Sequence, residues 1–219
     1  MWPNALRYLL SWVWPNSVER VEGRHGPLEV RWELGRKVLN SEHGNQSFGS
    51  LHRVWQGVLG KVLTLRPAPR TVLLLGLGGG SAHHILRREL GLAVHMTAVE
   101  IDPVMIALAA DHFALHEGPD LRIIEGDATI AVHGMNERFD LILVDLFDDL
   151  DLARGVDTNG FAHALRDRCA EDGIVCFNTV AHDAASNLRC QRVRQHLSKA
   201  FLHVEEWTFE GANRVFVAE

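Results

Sequence analysis

The sequence predicts an α/β protein built on a doubly wound, mostly parallel sheet of seven strands. From residue 70 onward, short apolar segments typical of strands alternate with longer segments of helical periodicity. The segments 73–75, 141–144 and 174–177 are apolar on both faces, as central parallel strands covered by helices must be. The last two predicted strands are separated only by Glu210-Gly-Ala212, which is too short for a crossover helix. They are therefore expected to form an antiparallel C-terminal hairpin.

The individual elements follow from these patterns. Strands are predicted at 71–76, 94–100, 121–125, 139–145, 173–178, 202–209 and 213–218, and helices at 81–90, 103–113, 158–170 and 184–200, with a short one near 128–134. Upstream, alternating residues on both sides of Gly35-Arg36 predict one β-hairpin over 28–40, followed by a helix from residue 51. Pro67 and Pro69 then interrupt the chain. We predict an N-terminal appendage at 1–66, reduced to a helix, a hairpin and a helix, and a nucleoside-binding Rossmann-like domain at 67–219.

The composition excludes several classes of protein. The formal net charge is −6 and no basic run occurs, so a nucleic-acid partner is not expected. Residues 1–15 are apolar and rich in tryptophan, but they fall short of the ~20 residues of a membrane span. Leu6, Leu9, Leu10 and Val13 recur at helical spacing, which predicts a short helix packed on the body or on a partner subunit. Attachment to a membrane surface is the alternative interpretation.

The cysteines and histidines give little sign of a metal site. Cys169, Cys176 and Cys190 form no Cys-x-x-Cys pair, which favours reduced thiols in a cytoplasmic protein. His112 and His116 have the spacing of a two-histidine site on a helix, but no His-Glu-x-x-His motif or nearby cysteine accompanies them. We predict no metal.

A glycine-rich turn follows the first strand of the main domain. The run Val72-Leu-Leu-Leu-Gly-Leu-Gly-Gly-Gly-Ser81 places Gly76, Gly78 and Gly80 between a buried strand and a helix. Glycines at such a turn allow the backbone to approach a nucleotide-like ligand. The pattern alone is weak, since an unrelated α/β protein can carry a structural glycine turn. The absence of Gly-Lys-Ser/Thr excludes a phosphate-binding P-loop.

Acidic residues follow the next three strands. Glu100 ends the second strand about 20 residues after the glycines, where a carboxylate can accept hydrogen bonds from ribose hydroxyls. Asp127 follows the third strand and can accept from an adenine amino group, and Asp145 follows the fourth. The carboxyl ends of parallel strands meet at the ligand-binding edge of an open sheet. Each acid has a helix N-cap as its alternative role, and Asp102 before Pro103 is read as such a cap.

Together these segments resemble the spermidine synthase family of aminopropyltransferases. The resemblance covers about residues 28–218 and is most specific in Val-Glu-Ile-Asp-Pro (99–103) and in the run from Phe139 to Asp149. It implies the fold of class I S-adenosylmethionine-dependent transferases, transfer of an aminopropyl group from decarboxylated S-adenosylmethionine, an amine acceptor such as a polyamine, and a homodimer.

The resemblance also implies roles for individual residues. The nucleoside-binding residues would be Gly76, Gly78, Gly80, Glu100, Ile101, Asp127, Ala128 and Gln46. Asp145 matches the catalytic aspartate, which takes a proton from the ammonium so that the amine gains a lone pair. The acceptor would lie against Asp148, Asp149 and Trp55. The chain departs from the family pattern at Gly79, where members carry an aspartate. It departs again where Leu51 and Trp55-Gln56-Gly57 replace acids and a tyrosine.

Three other functions are compatible with the same sequence. A methyltransferase using intact S-adenosylmethionine has the same scaffold, and Gly79 removes an acid that would repel the donor's carboxylate. A catalytically degenerate homologue would bind the nucleoside without turnover. An NAD-dependent dehydrogenase is less well supported, because it gives no role to the final hairpin or to Gly126-Asp-Ala128.

Overall fold

The N-terminal part forms a four-stranded antiparallel sheet, larger than the single hairpin predicted. The computed structural model describes residues 4–42, 44–148 and 151–219. It begins with α1 (Asn4–Leu10), followed by β1 (Asn16–Gly23), β2 (Gly26–Glu33), β3 (Arg36–Asn40) and β4 (Asn45–Ser47) in that spatial order. The predicted hairpin is the β2–β3 pair. The sequence analysis missed β1 because Glu19, Arg20 and Glu22 interrupt any apolar alternation, and β4 because it has only three residues.

The N-terminal helix forms, and Tyr8 packs edge-on against Trp32 of the N-terminal sheet, but several other apolar side chains of this segment stay exposed. Helix α1 ends at Leu10, three residues before Val13. Leu9 is 64% exposed and Val13 is 85% exposed. Packing of this surface on a partner subunit stays a prediction. Among the described residues, no helix is both long and apolar enough to cross a membrane.

The main sheet has the predicted seven strands. They are β5 (Thr71–Leu75), β6 (His95–Glu100), β7 (Leu121–Glu125), β8 (Phe139–Val144), β11 (Cys169–Val180), β12 (Val204–Phe209) and β13 (Asn213–Ala218), with the two-residue strands β9 (Phe147–Asp148) and β10 (Asp151–Leu152) paired outside the sheet. The spatial order is β12-β13-β11-β8-β5-β6-β7. Strand β13 is antiparallel to both neighbours, and the other pairings are parallel. The doubly wound sheet with its antiparallel C-terminal hairpin is thus confirmed.

The helices match the prediction with small differences at their ends. They are α2 (Ser50–Leu65), α3 (Ser81–His84), α4 (Pro103–Phe113), α5 (Ala128–Gly134), α6 (Asn159–Arg168) and α7 (Ala184–Ala200). The helix predicted over 81–90 is a short α-helix that continues as a π-helical segment, Ile85–Glu89. Strand β11 starts at Cys169, earlier than expected, because an irregularity in its pairing with β8 lengthens it.

Successive residues of the central strands face two separate apolar layers. In β5, Val72 and Leu74 pack with α2 on one side, whereas Leu73 and Leu75 pack with α5, α6 and α7 on the other. This is the burial on both faces that the apolar runs predict. Helix α2 precedes the predicted boundary at residue 67, yet it shares a core with the main sheet. The division into residues 1–66 and 67–219 stays a prediction.

The N-terminal sheet is held against the main body by α4. Leu28, Val30 and Leu39 form a small core with Met105 and Leu108. Through this contact the β1–β2 turn and the segment around β4 lie beside the carboxyl ends of β5 and β6. The strand order reverses between β5 and β8, which is where ligands bind in open α/β sheets.

Candidate active site

A cavity of about 630 Å³ lies at the carboxyl ends of the parallel strands. This volume suits a nucleoside-sized ligand with room for a second small molecule. Nine of the sequence-predicted site residues line it: Gln46, Gly76, Gly78, Glu100, Ile101, Asp127, Ala128, Asp145 and Asp148. Gly80 and Trp55 do not line it, and Asp149 lies outside the described residues. The cavity therefore brings together residues from the N-terminal sheet and from four strand ends.

The glycine turn after β5 is required by the protein's own backbone as well as by any ligand. Gly76 has φ +93°, and a Cβ atom there would overlap the carbonyl oxygen of Asp145. At Gly78, with φ +51°, a Cβ would lie 2.7 Å from the carbonyl oxygen of Gln46. Only glycine meets both demands. Gly80 adopts φ +84° at the start of α3 and lies against Leu115, so its role in the structure is to shape the turn.

The segment around β4 fixes the glycine turn by hydrogen bonds. The buried Ser47 Oγ accepts a hydrogen bond from the backbone N–H of Gly79 at 2.6 Å. In return, Ser81 Oγ accepts from the backbone N–H of Phe48 at 2.9 Å. Gln46, which lines the cavity, donates through Nε2 to Ser41 Oγ at 3.0 Å. The N-terminal sheet thus forms one wall of the cavity.

Glu100 connects the glycine turn to the end of β6. Its Oε2 accepts from the backbone N–H of Leu77 at 3.0 Å, and its Oε1 accepts from the backbone N–H of Asp102 at 3.0 Å. Burial raises the pKa of the Glu100 carboxyl, and these backbone donors act in the opposite direction. Each carboxylate oxygen can accept more than one hydrogen bond. Glu100 therefore keeps acceptor capacity for a ligand's hydroxyl groups.

The two following aspartates are both helix N-caps. Asp102 Oδ1 accepts from the N–H of Val104 at 2.9 Å, as the Asp-Pro sequence predicts, and its Oδ2 accepts from the N–H of Arg24 at 2.7 Å. Asp127 Oδ1 accepts from both the N–H and the hydroxyl of Thr129, at 2.8 and 2.6 Å. Capping uses only this one oxygen of Asp127. Capping and contact with a ligand are therefore compatible at this residue.

Asp145 lies at the floor of the cavity, and both of its carboxylate oxygens are held. Trp55 Nε1 donates to Oδ2 at 2.9 Å, and Asn178 Nδ2 donates to Oδ1 at 2.9 Å. Asn213 Nδ2 in turn donates to Asn178 Oδ1 at 3.1 Å, which orients the amide. Burial raises the pKa of Asp145, and the two donors partly offset that rise. The result is a fixed carboxylate whose protonated form is favoured more than in water.

Trp55 has a different position from the one predicted. It is buried in the core behind Asp145, with 1% of its surface exposed, and does not form part of the cavity wall. Its effect on the site is therefore through the hydrogen bond to Asp145.

At the mouth of the cavity, Asp148 contacts the N-terminal sheet. His25, in the turn between β1 and β2, places Nδ1 2.9 Å from Asp148 Oδ1. Asp148 is the second acid of the predicted acceptor site, so a residue of the chain itself already contacts that carboxylate. The hydrogen bond from the backbone N–H of Arg24 to Asp102 fixes the same turn.

Several residues of the site were missed by sequence reasoning. Asn178 is a polar residue near the end of the buried strand β11, and the rule that found the acids at strand ends applies to it equally. Ser47, His25 and Asn213 gave no comparable signal. Their positions depend on how the N-terminal sheet and the C-terminal hairpin lie against the cavity.

The strand order and this cavity define a class I S-adenosylmethionine-dependent transferase fold. Comparison with known proteins identifies the family within this fold. The family model of the spermine/spermidine synthase domain matches residues 55–209. This chain belongs to the spermine/spermidine synthase family. It is 29% identical over 181 residues to a polyamine aminopropyltransferase of Neisseria meningitidis, a match that covers 82% of this chain. The chain spans 66% of the length of that relative.

Solved structures agree on the fold. The spermidine synthase of Thermotoga maritima superposes with a TM-score of 0.71 at 18% identity, over 92% of this chain and 72% of that one. Human methyltransferase-like protein 13, solved in complex with SAH, gives a TM-score of 0.61 at 20% identity, over 78% of this chain and 82% of that one. The predicted similarity in fold to both aminopropyltransferases and methyltransferases is thus confirmed.

Proposed function

We propose that this protein transfers an aminopropyl group from decarboxylated S-adenosylmethionine to an amine acceptor. The observation that supports this most directly is Asp145, a carboxylate fixed by two donors on the floor of a cavity that also contains Glu100 and Asp127. The family's Neisseria relative is a polyamine aminopropyltransferase, and a polyamine is accordingly one class of acceptor to test.

The residues have separate tasks in the proposed reaction. Glu100 and Asp127 bind the ribose and the adenine, while Gly76 and Gly78 allow close approach of the nucleoside. Gln46, Ile101 and Ala128 complete the wall around it. Asp148 binds the acceptor, and Asp149 is proposed from the sequence alone to contribute to the same site.

The chemistry requires little more than a base and correct alignment. Asp145 accepts a proton from the acceptor's ammonium group, which frees the nitrogen lone pair. The nitrogen then attacks the propyl carbon bonded to sulfur, the C–S bond breaks, and its electron pair remains on sulfur as the neutral thioether methylthioadenosine. Because the sulfonium is already a good leaving group, in-line positioning accounts for most of the remaining catalysis, and the proposal involves no metal.

A methyltransferase reaction is the second candidate. Gly79 carries no acid, and a Cβ added there would meet Ser47 and Phe113, both uncharged. Intact S-adenosylmethionine would therefore meet no carboxylate at this position. The shared fold with a methyltransferase-like protein is compatible with this reaction but does not distinguish it.

Calorimetric titration with the two donors separates the candidates. We expect the decarboxylated donor to bind more tightly, with release of methylthioadenosine when an amine is added. Glu100→Gln should weaken donor binding by about tenfold or more, since it removes a charged acceptor. Glu125→Gln, at the exposed end of the next strand, serves as the matched control. Preference for the intact donor would favour the methyltransferase, and binding of neither would refute both.

We also propose that the protein is a cytoplasmic homodimer in which the apolar side chains of the N-terminal segment are covered. Trp12 and Trp14 are 57% and 76% exposed in the single chain, next to the exposed Leu9 and Val13. Sedimentation equilibrium of the full chain tests this, with a monomer at micromolar concentration as the contradicting result.

A further inference from the structure

The carboxylates at the acceptor end of the cavity already have partners among the described residues. Asp145 accepts hydrogen bonds on both oxygens from Trp55 and Asn178. Asp148 Oδ1 lies 2.9 Å from His25 Nδ1. Asp151, on the neighbouring strand, is paired with Arg189 and does not line the cavity.

Two arginines line the same cavity as Asp148. Arg24 is next to His25 in the β1–β2 turn, and the backbone N–H of Arg24 donates a hydrogen bond to Asp102. Arg154 comes two residues after β10, the strand that pairs with the Asp148 strand β9. Over residues 4–42, 44–148 and 151–219, neither guanidinium has an ion-pair partner. Both residues are exposed.

This distribution of charge does not suit a simple diamine. One ammonium of a diamine can approach Asp145, but a second ammonium that approached the two guanidinium groups would be repelled by them. An anionic group would instead gain charge-assisted hydrogen bonds from them. Arginine is the side chain best matched to a carboxylate, because its planar fork can donate two parallel hydrogen bonds.

We propose that Arg24 and Arg154 bind a substrate carboxylate, so that the acceptor is an amine bearing an acid group, of the amino-acid type. The inference deepens the proposed function and depends on it for the identity of the reaction. The same chemistry is present in the carboxylate of an intact S-adenosylmethionine donor, and the experiment therefore distinguishes the two sources.

The test uses acceptors that differ only in a carboxylate. Ornithine is putrescine with one added carboxylate, and lysine is related to cadaverine in the same way. Binding of each is measured calorimetrically to protein saturated with methylthioadenosine, so that the result does not depend on turnover. We expect ornithine and lysine to bind at least about fivefold more tightly than their diamine partners.

Variants assign the effect to the two arginines. Arg24→Gln/Arg154→Gln should remove the preference for the carboxylated amines, and Arg24→Lys/Arg154→Lys should restore part of it. Arg20→Gln/Arg36→Gln is the control for net charge, because both residues are exposed and neither lines the cavity. Titration of the same variants with intact S-adenosylmethionine tests the donor as the source of the carboxylate.

The outcomes are distinct. Loss of ornithine and lysine preference in the Gln variant alone supports an acidic acceptor, whereas selective loss of intact-donor binding supports recognition of the donor's carboxylate. Diamines that bind as tightly as their carboxylated partners, with donor binding unchanged in the variant, would overturn the inference. The proposed function is tested separately: if no amine causes release of methylthioadenosine, the proposed transfer reaction is refuted.

Discussion

At the scale of single residues, the chemistry centres on how Asp145 is surrounded. Its two donors, Trp55 and Asn178, are neutral, so they hold the carboxylate without supplying the positive charge that would keep it strongly ionised. Burial therefore dominates and raises its pKa. A carboxylate in this state is a better proton acceptor than a solvated aspartate.

Trp55→Phe tests the role of the indole as a positioning group. Loss of the N–H removes a donor that lowers the pKa of Asp145, so the acidic limb of the kcat/KM profile should move to higher pH. The free energy of unfolding should fall by about 2 kcal/mol, because a buried acceptor loses its partner and a small cavity forms.

The matched control for this variant is Trp207→Phe. Trp207 belongs to the same core cluster, but its indole donates to Glu205 instead of Asp145. The Trp207→Phe protein should be less stable than the wild type, but its kcat/KM profile should keep the same acidic limb. An unmoved profile in Trp55→Phe would show that the indole has no influence on the base.

At the residue scale, the sequence identified the acids at strand ends but not their partners. Glu100, Asp127 and Asp145 follow apolar strands, and the fold brings such positions together. Alignment with pocket residues of the family predicts Trp55 in the acceptor pocket, whereas the structure buries it behind Asp145. The His25–Asp148 contact depends on the docking of a distant sheet, which no local pattern specifies.

At the scale of elements, the glycine turn is where the N-terminal sheet, β5 and β8 meet. Ser47 of β4 binds the turn from one side, and the backbone of Asp145 contacts Gly76 from the other. The turn therefore depends on contacts within the protein before any ligand binds. This explains why the run of glycines is longer than close approach to a ligand alone requires.

Gly76→Ala should lower the free energy of unfolding by about 3 kcal/mol, because the added methyl overlaps the Asp145 carbonyl and φ is positive. Gly60→Ala, in the exposed interior of α2 with no atom within 4 Å of the new methyl, should instead raise it by about 0.5–1 kcal/mol. Denaturant unfolding of both variants measures the contrast. Equal effects at the two positions would contradict the geometry described for the turn.

At the element scale, sequence periodicity located the main sheet well because its strands are apolar on both faces. It underestimated the N-terminal sheet, whose edge strand β1 carries charges on its exposed positions and whose strand β4 is too short to show alternation. It also merged α3 with the π-helical segment, since Ala82 of α3 and Ile85 and Leu86 of that segment all face the same core.

At the scale of the whole molecule, the buried carboxyl at the active site should make stability depend on pH. Between the unfolded pKa of an aspartate, about 3.9, and the higher native pKa of Asp145, the native state binds more protons than the unfolded state. Stability must therefore fall as pH rises through this window, by up to about 1.4 kcal/mol per pH unit.

The side chain introduced by Asp145→Asn does not titrate, so comparing this variant with the wild type isolates the contribution of Asp145 to the pH dependence of stability. The advantage in unfolding free energy of the wild type over the variant should shrink as pH rises from 4 to 8, because the other groups titrate equally in both proteins. Urea unfolding at each pH gives the difference directly. A difference that stays constant with pH, or that grows toward pH 8, would show that burial does not raise the pKa of Asp145.

The central claim is that Asp145 acts as the base for aminopropyl transfer in a cavity that binds the donor independently of it. The most direct measurement follows label from decarboxylated S-adenosylmethionine, labelled in its aminopropyl group, to an amine in the wild type and in Asp145→Asn, with donor affinity measured alongside. We predict that transfer falls by about a hundredfold or more while donor affinity stays within about twofold. Undiminished transfer in the variant, or no transfer in the wild type despite donor binding, would contradict the account.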